Sequence, residues 1–193
     1  MSKVLTHMTM SLDGFIADPH DGIDDLFDWY DAGDVSVPSA NEHVSLNVDE
    51  ASAGMLSDLI ESAGALVSGR RLFDITDGWG DSHPMGVPVV VVTHRPPEDA
   101  DRWPRTTFTG DVGTAIERAW EIAGGKDVTI ASANVASQAL TLGLVDEVCV
   151  SLAPVLLGEG IPYFANLTGR QLLEDPVVVQ GRRALHLRYP VRR

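Results

Sequence analysis

Residues 127–148, DVTIASANVASQALTLGLVDEV, decide the fold. They read as a strand over DVTIA, an abrupt turn, a helix over about 133–142 and the entry to a further strand, EVCVSLAP at 147–154. Strand, turn and helix in this order build α/β proteins, and the turn is where such proteins often seat a phosphate. Here the turn is Ala131-Ser132-Ala133-Asn134, and it holds no glycine. Phosphate cradles usually need glycine, because backbone amides must approach the ligand closely and often at positive φ. Three readings are open: a cofactor cradle, an altered one, or only a turn.

The same alternation extends outward in both directions. Residues 3–10 predict a first strand that runs into SLDGFIA, where Asp13-Gly14 signals a turn. DEASAGMLSDLIESAG (49–64) predicts a helix with Met55, Leu56, Leu59 and Ile60 on one face and Asp49 as its cap. ALVSG, VPVVVVT (87–93) and TTFTG (106–110) follow as strands, with a helix over about 111–123 after them. PVVVQGRRALHLRYP (176–190) predicts a closing hairpin. The expected fold is therefore a mostly parallel sheet with helices on both faces and an antiparallel finish, a three-layer α/β/α domain spanning 1–193. Between the first strand and the first long helix lies an acidic stretch, 18–48, carrying Phe27, Trp29 and Tyr30 among aspartates. A loop longer than about 15 residues is usually functional or disordered, and the aromatics predict a functional lid.

Composition excludes several classes. The net charge of -14 and the lack of a basic stripe argue against nucleic acid. No apolar run approaches the ~20 residues of a membrane span. The one cysteine, Cys149, lies in an apolar run and reads as a core thiol. With no basic-then-apolar leader pattern at the N-terminus, the expectation is a soluble, cytoplasmic protein. The histidines show no metal spacing, and DPHDGIDD breaks the calcium-loop pattern, so no metal is expected. An acidic protein that binds a phosphorylated cofactor must concentrate its few cations locally, which directs attention to SGRR and THRPP.

Four segments put polar or basic residues just after a strand: MSLDGFIA, VSGRRLFDITDGWG, VVVVTHRPP and TIASANVASQAL. In this order and spacing, with GLVDEVCVSLAPVLLGEGIPYF following, they resemble the dihydrofolate reductase-like superfamily, and within it the branch of the riboflavin-biosynthesis reductase domain. The resemblance covers nearly the whole chain. It implies an NADPH-binding groove, a homodimer, and reduction of a pterin-like or pyrimidine-like small-molecule substrate.

Carried onto this sequence, the resemblance puts Gly69, Arg70 and Arg71 at the cofactor's phosphates and Thr93, His94 and Arg95 at its adenosine 2′-phosphate edge. Ala131, Ser132, Ala133 and Asn134 take the pyrophosphate turn, and Ser11 and Asp13 lie beside the nicotinamide. Asp13 is there a candidate proton donor or relay, against a turn carboxylate bonding its own backbone. Trp29, Trp79, Gly158 and Gly160 fall on the substrate side. The departure is at Ala131-Ser132, where the family carries a Gly-Gly pair. It leaves three functions open: an NADPH-dependent reductase, a reductase using another redox cofactor such as a deazaflavin, and a non-catalytic small-molecule binding protein.

Overall fold

The structure, a computed structural model, describes residues 2–192. In chain order its elements are β1 (Val4–Ser11), α1 (Asp24–Phe27), the short strands β2 (Val35–Ser36) and β3 (Asn47–Val48), α2 (Glu50–Ser62), β4 (Ala63–Gly69), α3 (Arg70–Ile75), β5 (Val89–Val92), β6 (Thr106–Thr109), α4 (Val112–Ala123), β7 (Asp127–Ala131), α5 (Ala133–Thr141), β8 (Glu147–Ala153), β9 (Val177–Gln180) and β10 (Leu185–Pro190). An eight-stranded sheet runs β6-β5-β4-β7-β1-β8-β10-β9. Its strands are parallel as far as β8, and β10 then pairs antiparallel with both β8 and β9. The expected mostly parallel sheet with an antiparallel finish is what forms.

Burial follows from the strand period of two. Val4, Val128, Ile130, Val148 and Val150 pack with Ile116, Ala119, Val135 and Ala139, so α4 and α5 cover one face. On the opposite face Leu5 and Cys149 meet Leu59 of α2, and Leu66, Val89 and Val91 meet Phe73 of α3. Helix starts follow local chemistry. Asp49 accepts from the Ala51 and Ser52 amides, both at 3.1 Å, and Asp111 accepts from Thr114 at 2.9 Å. Gly124, at φ 58°, closes α4 in the left-handed region.

The acidic stretch 18–48, expected as a lid, is a folded insert. Trp29, 2 % exposed, packs with Val37, Leu46, Val48, Leu56 and Ala184, and its Nε1 donates to Thr9 Oγ1 at 3.3 Å. The physical reason is area: a buried indole is a large apolar surface, and α2 leaves a sheet face for it to cover. Trp29 therefore anchors the insert to β1.

Candidate functional site

The carboxyl ends of β1, β4, β5, β7 and β8 carry nearly all the residues singled out from sequence, as expected for ligand sites of open α/β sheets. At the end of β1, Ser11 Oγ donates to Asp13 Oδ1 at 2.6 Å and accepts from the Phe15 amide at 2.9 Å. Asp13 also accepts from the Leu157 and Gly158 amides at 3.1 and 2.7 Å. The Ser11 hydroxyl, helped by those amides, holds the Asp13 carboxyl below its ordinary range. Such a carboxylate is an acceptor at neutral pH. Its bonds tie the loop after β1 to the loop after β8.

The lacing continues beyond Asp13. Ile16 donates to Ile161 O and Ile161 to Ala17 O, both at 2.9 Å, while Leu12 donates to Val155 O at 2.8 Å. Gly160, at φ 152°, lies so close to the Ala17 carbonyl that a Cβ would collide with it. Gly158, at φ 77°, needs glycine for its backbone angle, and a Cβ there meets nothing within 4 Å. Both glycines, expected on the substrate side, serve this ribbon between residues 11–18 and 153–163.

The ends of β4 and β7 are joined by a side chain. Ser132 Oγ accepts from the Gly69 amide at 2.8 Å. Ser132 itself sits at φ 148°, ψ 133°, a conformation that side-chain-bearing residues rarely adopt and that glycine takes freely. The backbone thus keeps a glycine-like geometry although the residue is serine. Because the hydroxyl turns toward Gly69, it makes no cap to its own helix, so the first amides of α5 are left without a side-chain acceptor. A nine-residue helix with an open N-terminus at a strand end favours an anion. Asn134 is exposed, its Oδ1 accepting from Gln138 at 2.5 Å.

The arginines divide their work. Arg71 makes a bidentate pair with Asp21, both contacts 2.9 Å, and so ties α3 to the acidic insert. Arg70 Nε donates to Asp74 at 2.6 Å, and its Nη1 donates to the Arg95 carbonyl. Thr93 Oγ1 accepts from the Arg95 amide at 3.1 Å, which completes a tight turn at the end of β5. The Arg95 and His94 side chains are exposed there, and Arg95 takes part in none of the ion pairs formed among the described residues. Of the three cations assigned to phosphate, Arg95 is the one not spent on a protein carboxylate.

Trp79 lies in a left-handed turn. Asp77, Gly78, Trp79, Gly80 and Asp81 have φ of 48°, 58°, 54°, 60° and 62°. The turn is held by Arg102 on Asp77 at 2.6 Å, by the Arg105 amide on both Asp81 oxygens at 3.1 Å, and by Asn41 Nδ2 on Trp79 O at 3.1 Å. The indole packs edge-on to His83, with ring centroids 4.7 Å apart, against the cluster of Phe73 and Trp103.

A cleft of about 560 Å³ opens beside the end of β8, lined by Leu12, Pro154, Gln180, Arg182 and Arg183 among others. Arg182 Nη1 donates to Ala32 O at 3.1 Å, and Arg183 lies 3.6 Å from Asp28. These two cations escaped the sequence reading, which placed QGRRALHL only in a hairpin. The signal was present, since Gly-Arg-Arg there repeats the pattern of SGRR.

No helix among the described residues is long and apolar enough to cross a membrane. Among them no group of three or more His, Cys, Asp or Glu is placed to hold a metal.

Solved structures of similar fold include a Shewanella sp. PV-4 protein named for riboflavin biosynthesis, at 25 % identity and TM-score 0.70, with 99 % of each chain covered. A pyrimidine reductase-like protein from Corynebacterium diphtheriae matches at 15 % identity and TM-score 0.58, over 100 % of this chain and 92 % of that one. RibD of Acinetobacter baumannii matches at 18 % and 0.59, and this chain spans 59 % of its length. No curated protein matches the chain. Residues 2–180 match the RibD C-terminal domain, a finding that supports a reductase role. With that match over nearly its whole length, the chain belongs to the RibD C-terminal domain family.

Proposed function

We propose that the protein is an NADPH-dependent reductase of a pyrimidine- or pterin-like heterocycle, with activity of the riboflavin-biosynthesis type. The observation that carries the reading is the open N-terminus of α5 behind the glycine-like turn at Ser132. The residues present fit a dinucleotide. The α5 amides receive the pyrophosphate, the Ser132 hydroxyl keeps its own proton for a phosphate oxygen while accepting from Gly69, and Arg95 takes the 2′-phosphate. When bound, the dihydronicotinamide supplies a hydride. Arg182 and Arg183 at the β8 cleft oppose the negative charge that hydride transfer leaves on the heterocycle. The ribbon between 11–18 and 153–163 fixes the β1 end of that cleft, with Asp13 as its ionised tie.

One observation favours a second reading, a deazaflavin cofactor: Ala131 and Ser132 place side chains where the family's cradle has none. Calorimetric titration with NADPH, NADH and a reduced deazaflavin tests both. Tighter binding of NADPH than of NADH supports the proposal. Binding of the deazaflavin alone replaces it with the second reading, and binding of none leaves a small-molecule binding protein without redox chemistry.

A further inference from the structure

On the face of the sheet that α2 covers, a cavity of about 340 Å³ opens between α2 and the strands β8 to β10. It shares no lining residue with the cleft at the strand ends. Met55, Leu59, Val177 and Val179 supply apolar walls, and His7, Ser151 and His186 form a polar floor.

The floor is one end of a hydrogen-bonded chain whose direction is determined. Asp49 is ionised, its carboxyl drawn down to about 2 against the cost of burial by the Arg182 amide, the Ser52 hydroxyl and the Ser52 and Ala51 amides. Ser52 Oγ lies 2.7 Å from Asp49 Oδ2 and must spend its single proton there. It therefore accepts from His186 Nε2 at 2.9 Å; burial holds the His186 imidazole below its ordinary value and hence neutral, which leaves its Nδ1 without a proton. Ser151 Oγ, 2.9 Å away, donates to that nitrogen and in turn accepts from His7 Nε2 at 3.1 Å. His7 then carries its proton on Nε2, and Nδ1 is a bare acceptor. That atom hydrogen-bonds to nothing among the described residues, and His7 is part of the cavity lining.

We propose that this cavity is a second ligand site, separate from the strand-end groove, that takes a small neutral aromatic heterocycle whose N–H donates to His7 Nδ1. The ring lies on Met55, Leu59 and Val177. The volume is at the lower end of small-molecule sites, roughly 300–1,000 Å³, and suits one or two fused rings. The ligand is a donor because the aligned chain offers only a lone pair. It is neutral because most of the wall is apolar and the two charged lining residues, Asp58 and Arg188, are opposite in sign, with the Arg188 guanidinium already facing Glu147 at 3.7 Å. Burial holds the His7 imidazole down at about 4, so the acceptor is uncharged at neutral pH. The site does not depend on which redox cofactor the strand-end groove binds.

Indole and 1-methylindole are the probes, since they share a ring system and differ in the N–H. Calorimetry on the full chain is expected to show indole binding about tenfold more tightly. His7→Phe is expected to bind the two equally. Gly54→Trp adds an indole at a lining position on α2, where an added Cβ meets nothing within 4 Å, and is expected to abolish binding of both while sparing NADPH. Ring-nitrogen NMR of the parent reads the tautomer without any mutation. Equal binding of the two probes to the parent, no binding of either, or a His7 proton on Nδ1 overturns the proposal.

Discussion

The Ser132 hydroxyl accepts the Gly69 amide at 2.8 Å and so pins the end of β7 to the end of β4. One side chain thereby does two opposed things. It forms a bond between strand ends, and it holds its own backbone at φ 148°, ψ 133°, where a residue with a Cβ is strained.

Those two effects separate in mutants. Ser132→Ala keeps the strain and loses the bond, and urea unfolding is expected to show a loss of about 1 to 2 kcal/mol. Ser132→Gly loses the bond but relieves strain of about 1–3 kcal/mol, and is expected to be neutral or stabilising. In Ala131→Gly with Ser132→Gly the turn's amides reach the pyrophosphate more closely, so NADPH is expected to bind several-fold tighter by calorimetry. Weaker binding in the double mutant means that the phosphate contact of the Ser132 hydroxyl outweighs the closer approach of the amides.

Arg95→Ala is expected to shrink the NADPH preference over NADH by roughly 10-fold or more, the worth of a charge-assisted bond to phosphate. Arg71→Ala acts through Asp21, so both nucleotides should weaken alike, with faster proteolysis of the 18–48 insert. Equal titration curves for parent and Arg95→Ala put the 2′-phosphate elsewhere.

Two glycines offer a contrast in stability. Gly54 lies inside α2, and a Cβ there meets nothing within 4 Å, so Gly54→Ala should stabilise by about 0.5–1 kcal/mol through helix propensity. At Gly64 a Cβ would lie 2.7 Å from Ala123 Cα, Cβ and O, and Gly64→Ala should cost about 1–3 kcal/mol by overpacking β4 against α4. Denaturant midpoints for the two variants should move in opposite directions.

Asp49 links acid stability to the α2 start. Its folded carboxyl titrates at about 2, below the ordinary 3.8. A depressed value stabilises the fold above the unfolded value, and that stability is lost as pH falls through the folded one. Asp49→Ala is therefore expected to cost about 1 kcal/mol at pH 7, as for a lost cap, with the gap closing between about pH 4 and pH 2. A gap that persists at pH 2 removes the carboxylate from the account.

The late strands leave an apolar edge. Val177 and Val178 on β9 are 61 % and 52 % exposed, and Leu156 in the loop after β8 is 69 % exposed. Unpaired edge strands of this kind seek a partner. Light scattering at micromolar concentration is expected to give a homodimer, and a clean 20.7 kDa monomer removes the expectation.

Much of the fold was legible in the chain because periodicity is local. The alternation in DVTIA and EVCVSLAP, the spacing of Leu56 and Leu59, and the capping Asp49 each specify an element within a few residues. The positions of Gly69, Arg95 and Ser132 at neighbouring strand ends follow from a parallel sheet, which places every strand-to-helix turn on one edge. What each side chain does there was decided only by tertiary structure. Asp13 stands beside a Gly in both readings, yet the two amides it accepts from, Leu157 and Gly158, come from 144 and 145 residues away. Trp29 reads as a lid aromatic until α2 and β1 are close enough to bury it. Arg71 looks available until Asp21 folds back across 50 residues to claim it. Nor does any local pattern connect His7, Ser52, Ser151 and His186, since a hydrogen-bonded chain needs atoms within about 3 Å and sequence distance carries no such information.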